Sequence, residues 1–178
     1  MKRVIVFGMN SNSYQNFYPS IQICSLEVAR EADHSLYDGV ITIEDSFIET
    51  PLRVKKDVCP QLVLRFDDIT LPVDDWVEPS IEHIKQAFGF SETIKEGSLL
   101  VHCTYGISRS SAIALSIIAR GLGEGREKDA VKELQQINPY CAPNALIVWL
   151  TDELLNRNGK LYKTTESQVN LTGTFRGH

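Results

Sequence analysis

Residues 101–110 read VHCTYGISRS, and they lie between two apolar segments of different kind. The segment before them, residues 98–101, is a short aliphatic run typical of a buried strand. The segment after them, from Arg109 to about Arg120, is apolar on almost every side, as a central buried helix should be. The sequence therefore predicts a strand ending at Cys103, a short loop, and a helix beginning at Arg109.

A loop at the N-terminus of a helix is suited to bind an anion, because its backbone N–H groups point into one concavity. A phosphate is the natural guest of such a site. Gly106 permits a backbone conformation that a residue with a side chain would resist. The planar guanidinium of Arg109 can hold two phosphate oxygens at once. Cys103 lies at the mouth of this concavity, where positive potential favours the thiolate and hence a nucleophile.

The spacing is that of the Cys-x5-Arg signature, and the fuller pattern His-Cys-x-x-Gly-x-Ser-Arg-Ser resembles the protein tyrosine phosphatase superfamily. The similarity is to its compact dual-specificity and bacterial-type branches, and it covers roughly residues 60–155. It implies Cys103 as nucleophile, Ser110 as a donor to the departing sulfur, and no metal or cofactor. His102 is expected to order the loop through hydrogen bonds. The phosphate-binding loop is expected to comprise Thr104, Tyr105, Gly106, Ile107, Ser108 and Arg109.

The resemblance also requires a general acid, which protonates the oxygen of the leaving group. Residues 66–72, FDDITLP, follow a predicted strand in the register of the family's acid loop, Trp-Pro-Asp-aromatic-Gly-aliphatic-Pro. This register places Asp68 at the position of the acid, with an aromatic residue two positions before it and a proline four positions after it. Asp67 and Asp75 are the main alternatives, and Asp74 is a further candidate. Any of them could instead be a solvated loop carboxylate, the commonest fate of an aspartate.

A second match lies downstream, where Pro143-Asn144 opens the last predicted helix. This pair resembles the Pro-Asn opening of the corresponding helix in small phosphatases of this group, a region that packs beside the phosphate loop. Asn144 is therefore expected either to bond to the loop backbone or simply to cap the helix.

Periodicity along the chain indicates the fold class. Strands alternate with helices, which predicts an α/β fold with helices covering a small, mostly parallel sheet. We expect one phosphatase domain over residues 1–156 and a polar, mobile tail over residues 157–178. Residues 10–20 are predicted to form a loop. Besides the strand–loop–helix stretch, strands are predicted at 4–7, 40–43 and 62–66, and helices at 25–32, 80–90, 126–137 and 143–156.

Composition excludes several classes of function. The 178 residues carry 18 basic and 23 acidic side chains, a net charge of -5, which disfavours general binding to nucleic acids or anionic membranes. The longest apolar stretch is interrupted by Ser116 and is too short to span a bilayer. The N-terminus lacks the features of a signal peptide, so a cytoplasmic location is expected. The four cysteines show no metal-binding spacing.

These observations together predict an enzyme that hydrolyses phosphotyrosine in a phosphorylated protein or peptide, with phosphoserine and phosphothreonine as further candidate substrates. Two alternatives stay open. One is a module that binds phosphorylated partners without turnover. The other is a phosphatase of RNA 5′ ends, nucleotides or lipids.

Overall fold

The centre of the computed structural model, which describes residues 18–94 and 96–173, is a four-stranded sheet. Its strands lie in the order β1-β4-β2-β3, and each neighbouring pair is parallel. The strands are β1 (Ser20–Ser25), β2 (Gly39–Glu44), β3 (Gln61–Arg65) and β4 (Ser98–Cys103). The expected α/β fold with a small parallel sheet is confirmed. The strand predicted at Val4–Phe7 lies outside the described residues.

Strand β1 is not anticipated by the sequence pattern, which places a loop up to residue 20. It pairs with β4 from Ser20↔Ser98 to Ser25↔Cys103. Only Ile21 is buried along it, and its last three residues are half-buried. Such an edge strand has a weak hydrophobic signal, because its position is set by main-chain pairing with β4 more than by its own side chains.

Helices cover the sheet, and the most buried of them follows the fourth strand after a short loop. Every residue from Arg109 to Ala119 is buried, which confirms the prediction of a central helix. In the described part of the chain, no helix is long and apolar enough to cross a membrane. The helices are α1 (Leu26–Glu31), α2 (Ile81–Thr93), α3 (Arg109–Leu122), α4 (Glu127–Ile137), α5 (Ala145–Leu154) and α6 (Lys160–Gln168).

The sequence predicts a polar, mobile tail from residue 157, whereas the described chain continues as a helix over Lys160–Gln168. Helix α6 packs against α4 and α5, and its Leu161 is fully buried. The buried carboxylate of Asp152 accepts the backbone N–H groups of Gly159 at 2.6 Å and Tyr162 at 2.9 Å, which fixes the start of the helix. The helix carries few apolar residues, and the contacts that fix its start come from Asp152 in the preceding helix, so neither feature marks it locally in the sequence.

Candidate active site

The loop between β4 and α3 places Cys103 at the end of a strand and Arg109 at the start of a helix, as predicted. The Cys103 side chain is buried, and two hydrogen-bonding groups lie next to its sulfur. The Gly106 backbone N–H donates to Sγ at 3.3 Å, and Ser110 Oγ lies 3.3 Å from Sγ. Hydrogen bonds of this kind stabilise negative charge on the sulfur.

Gly106 is required by the way the loop packs on the end of β1. Its φ is +72°, and a Cβ atom there would lie 2.5 Å from the backbone carbonyl carbon of Cys24. On the same side of the loop, the Leu26 N–H donates to the Thr104 carbonyl at 3.2 Å. The strand that the sequence pattern did not predict therefore supports one side of the phosphate loop.

The segment that follows α4 supports the loop from another side. Asn138 Nδ2 donates to the Gly106 carbonyl at 2.8 Å, and the Ala142 N–H donates to the Ile107 carbonyl at 3.1 Å. The Tyr105 side chain, in contrast, is 77% exposed. The loop thus has a fixed backbone and an exposed aromatic residue at its rim.

Arg109 is held almost completely inside the protein, with 3% of its surface exposed. Its Nη1 donates to the Phe66 carbonyl at 2.8 Å and forms an ion pair with Asp45 Oδ1 at 2.8 Å. Its Nη2 donates to Thr104 Oγ1 at 3.0 Å. The buried Nε has no hydrogen-bond partner within the described residues. One edge of the guanidinium is thus occupied by protein groups, and the Nε atom is left for a ligand.

Asp68 lies directly beside the loop between β4 and α3. Its Oδ1 accepts the Ser108 hydroxyl at 2.7 Å and the Asn144 side-chain amide at 2.9 Å. Three residues that the sequence singled out separately are therefore brought together. Both donors bind the same oxygen of the Asp68 carboxyl group.

The other candidate acids, Asp67, Asp74 and Asp75, have different surroundings from Asp68. Asp67 is 3% exposed, and its carboxylate accepts hydrogen bonds from the Ser46 N–H and hydroxyl and from the Val77 N–H. Burial alone would raise the pKa of Asp67, but the hydrogen bonds from Ser46 and Val77 outweigh burial and lower it. Asp74 and Asp75 are exposed. Asp67 thus holds two segments together, whereas Asp68 contacts the loop between β4 and α3.

The hydrogen bonds of Asn144 show which of its two expected roles, a bond to the loop backbone or a cap of α5, the structure contains. Its Oδ1 accepts the Ile147 N–H at 3.1 Å, so it caps α5. Its amide donates to Asp68 Oδ1 and to the Ile69 carbonyl at 3.2 Å. The expected bond to the phosphate-loop backbone is absent among the described contacts, and the amide binds the acid loop instead.

His102 is buried on β4 and lies 2.8 Å from Thr42 Oγ1 through its Nε2. Burial lowers the pKa of His102 to about 4. The ring is therefore neutral at physiological pH, and its hydrogen bond to Thr42 joins β4 to β2.

Asp45 and Asn138 are the contributors that the sequence reasoning missed. A signal for Asp45 exists, because it directly follows β2, just as Asp67 and Asp68 follow shortly after β3. The carboxyl ends of parallel strands meet at one edge of a sheet, which is where ligands bind in such folds. Asn138 offers no comparable signal, since it looks like an ordinary helix stop.

Comparison with known proteins connects this geometry to one fold. No protein-family model matches the sequence, and no curated protein matches it significantly. Among solved structures, DUSP15 superposes with a TM-score of 0.61 at 20% identity, covering 88% of this chain and 96% of its own. The active form of Tk-PTP gives 0.57 at 17% identity, covering 84% and 99%. The human tyrosine phosphatase-like serine/threonine/tyrosine-interacting protein gives 0.52 at 24% identity, covering 72% and 81%. The chain therefore has the fold of the tyrosine and dual-specificity phosphatases.

Proposed function

We propose that this chain is a cysteine-dependent phosphatase that hydrolyses phosphotyrosine in proteins or peptides and also accepts phosphoserine and phosphothreonine. One observation carries the proposal: Cys103, Arg109 and Asp68 converge on one loop, each held by contacts that suit its part in the reaction. The sulfur contacts the Gly106 N–H and Ser110 Oγ, Nε of the guanidinium has no partner within the described residues, and Asp68 has one oxygen bound by two donors.

In the binding step, the loop from Thr104 to Arg109 receives the phosphate dianion. The Nε of Arg109 and the remaining hydrogen of its Nη2 offer a parallel pair of donors, the arrangement that binds two phosphate oxygens. Donors that are already in place stabilise the charge on the equatorial oxygens without reorganisation during the reaction.

In the first chemical step, the Cys103 thiolate attacks phosphorus in line and forms a sulfur–phosphorus bond while the bond to the leaving oxygen breaks. Asp68 gives its proton to that oxygen, so the alcohol or phenol leaves neutral. The hydrogen bonds from Ser108 and Asn144 to Oδ1 direct the proton to Oδ2 and fix the orientation of the carboxyl group.

In the second step, Asp68 takes a proton from a water molecule, and the water oxygen attacks the phosphorus of the thiophosphoryl-enzyme. The sulfur–phosphorus bond breaks, and the thiolate is regenerated. Ser110 Oγ, 3.3 Å from Sγ, donates a hydrogen bond to the sulfur as its negative charge returns.

The choice of phosphotyrosine rests on the rim of the site. Tyr105 on the phosphate loop is 77% exposed, and Phe47, two residues after Asp45, is 68% exposed. Exposed aromatic rings on the loops beside the site offer a surface on which the phenyl ring of phosphotyrosine can pack.

The proposal is tested by a substrate panel of a phosphotyrosine peptide, a phosphothreonine peptide and 5′-phosphorylated RNA. We expect fastest turnover of the phosphotyrosine peptide and no turnover by Cys103→Ser, which should still bind phosphate. Asp68→Asn should lower kcat far more than it raises KM. Asp74→Asn, an exposed aspartate of the same loop, serves as the matched control.

Each outcome has a distinct meaning. Full activity of Cys103→Ser would refute the covalent mechanism, and an unchanged kcat in Asp68→Asn would remove the acid role from Asp68. Phosphopeptide binding without any turnover by the natural chain would indicate a binding module. Preference for the RNA would replace protein phosphotyrosine as the substrate.

A further inference from the structure

The chain returns to the candidate active site after α6. Residues 171–173, which we call the C-terminal strap, lie beside the segment that leads into α5. Resting on the proposed function, we propose that Thr172 of this strap is a positioning residue: it holds the acid loop, which carries Asp68, at a fixed place relative to the phosphate loop. The hydrogen bonds described for Thr172 all go to the segment before α5, so it acts through that segment.

Thr172 binds the segment before α5 through three hydrogen bonds. The Thr172 N–H donates to the Pro143 carbonyl at 2.9 Å, and the Ala145 N–H donates to the Thr172 carbonyl at 3.1 Å. These two bonds make a parallel bridge between Thr172 and Asn144. The Thr172 hydroxyl donates to the Ala142 carbonyl at 2.6 Å. The main chain of Asn144 is therefore held on both sides by one residue.

The segment before α5 in turn contacts both loops of the site. The Ala142 N–H donates to the Ile107 carbonyl of the phosphate loop at 3.1 Å. The Asn144 side-chain amide donates to Asp68 Oδ1 at 2.9 Å and to the Ile69 carbonyl of the acid loop at 3.2 Å. Asn144 is fully buried, so packing as well as hydrogen bonding keeps its amide in place. The position of Asp68 relative to the phosphate loop therefore depends on how this segment is held.

The strap also touches the acid loop directly. A Cβ atom at Gly173 would lie 2.6 Å from Cγ2 and Oγ1 of Thr70, so a residue with a side chain at this position would displace Thr70. Thr70 lies two residues after Asp68. The acid loop is thus supported at two places, at Asp68 and Ile69 through Asn144, and at Thr70 by the strap itself.

A positioning role and a purely structural role predict different effects on two substrates. Para-nitrophenolate is a good leaving group that needs little protonation, whereas phenolate is a poor one that depends on the general acid. If the strap only stabilises the fold, weakening it lowers the active fraction of the protein. The value of kcat/KM then falls by the same factor for para-nitrophenyl phosphate and for phenyl phosphate. If Thr172 positions Asp68, kcat/KM falls further for phenyl phosphate, because a displaced acid protonates the leaving oxygen poorly.

The experiment measures kcat/KM for both substrates in Thr172→Val and in the matched control Thr165→Val. Each change removes one hydroxyl that donates to a main-chain carbonyl, and that of Thr165 donates to Leu161 within α6 at 2.7 Å. Thr172→Val should lower kcat/KM about threefold more for phenyl phosphate than for para-nitrophenyl phosphate. Thr172→Pro, which also removes the N–H donor, should give a difference of about tenfold. Thr165→Val should affect the two substrates equally.

A double variant tests whether the effect passes through the acid. In a protein that already carries Asp68→Asn, Thr172→Pro should leave the ratio of the two kcat/KM values unchanged, because no acid is left to be positioned. A ratio that still changes in this background would overturn the inference. Equal losses for the two substrates in both Thr172 variants would overturn it as well. Should Thr172→Pro fail to fold, Thr172→Val decides by the same ratio.

The two proposals can fail separately. If the natural chain hydrolyses neither aryl phosphate, the proposed function is wrong, and hydrogen–deuterium exchange then tests the strap without turnover. The main-chain amides of the acid loop should exchange faster in Thr172→Val than in Thr165→Val, because the support from Asn144 is loosened only in the first. Equal exchange in the two variants would show that Thr172 does not hold the acid loop.

Discussion

The buried imidazole of His102 should make the protein lose stability between pH 6.5 and about 4. Its pKa is lowered by burial from 6.5 to about 4 in the folded protein, so the unfolded chain takes up a proton that the folded protein does not. The part of the free energy of unfolding that comes from the lowered pKa of His102 is therefore complete above pH 6.5, and it is lost as the pH falls towards 4. At about 1.36 kcal/mol per pKa unit, the whole contribution is about 3 kcal/mol.

The assay is urea unfolding at several pH values between 7.5 and 4.5, for the natural protein and for His102→Gln. Gln can still bond to Thr42 but does not titrate, so the natural protein should lose about 2.5 kcal/mol more than the variant over this range. His83, whose pKa burial also lowers, is present in both proteins and cancels in the comparison. Equal losses in the two proteins, or an NMR titration of the His102 ring near pH 6.5, would refute the reasoning.

Three further changes probe the loop and the C-terminal helix. Gly106→Ala should abolish turnover and cost about 1–3 kcal/mol of stability, because its φ is +72° and the new Cβ would lie 2.5 Å from Cys24; normal activity would contradict the need for glycine. Ser110→Ala should slow the breakdown of the thiophosphoryl-enzyme roughly tenfold, so that stopped-flow traces show a burst of phenol, whereas equal rates for both steps would contradict its role. Leu161→Ala should lower the free energy of unfolding by about 2–5 kcal/mol, since this side chain is fully buried. Lys163→Ala, on the exposed side of the same helix, should change that free energy by less than about 0.5 kcal/mol, and equal effects of the two changes would show that α6 does not pack on the core.

The parts of the site that could be predicted from the sequence are those close together along the chain. The strand, loop and helix from residue 98 to 122 have strong and different periodicities, and Cys103 and Arg109 lie at the two junctions. Asp45 and Asn138 reach the same loop from distant segments. Their contacts depend on the strand order β1-β4-β2-β3 and on the packing after α4, neither of which a local pattern specifies.

The choice between Asp67 and Asp68 shows where such reasoning stops. Side chains that follow one another in extended chain point to opposite sides, so the two aspartates that follow β3 are expected to face different surroundings. The residues alone place both at the correct edge of the sheet; the family resemblance favours Asp68, but a local pattern does not say which side the loop occupies. The structure supplies that information through residues far along the chain, because Ser46 takes the Asp67 carboxylate while Ser108 and Asn144 take that of Asp68. If Asp67 were the acid instead, its carboxyl group would have to donate a proton. Three hydrogen bonds from Ser46 and Val77 stabilise the ionised form of Asp67, which has no proton to donate.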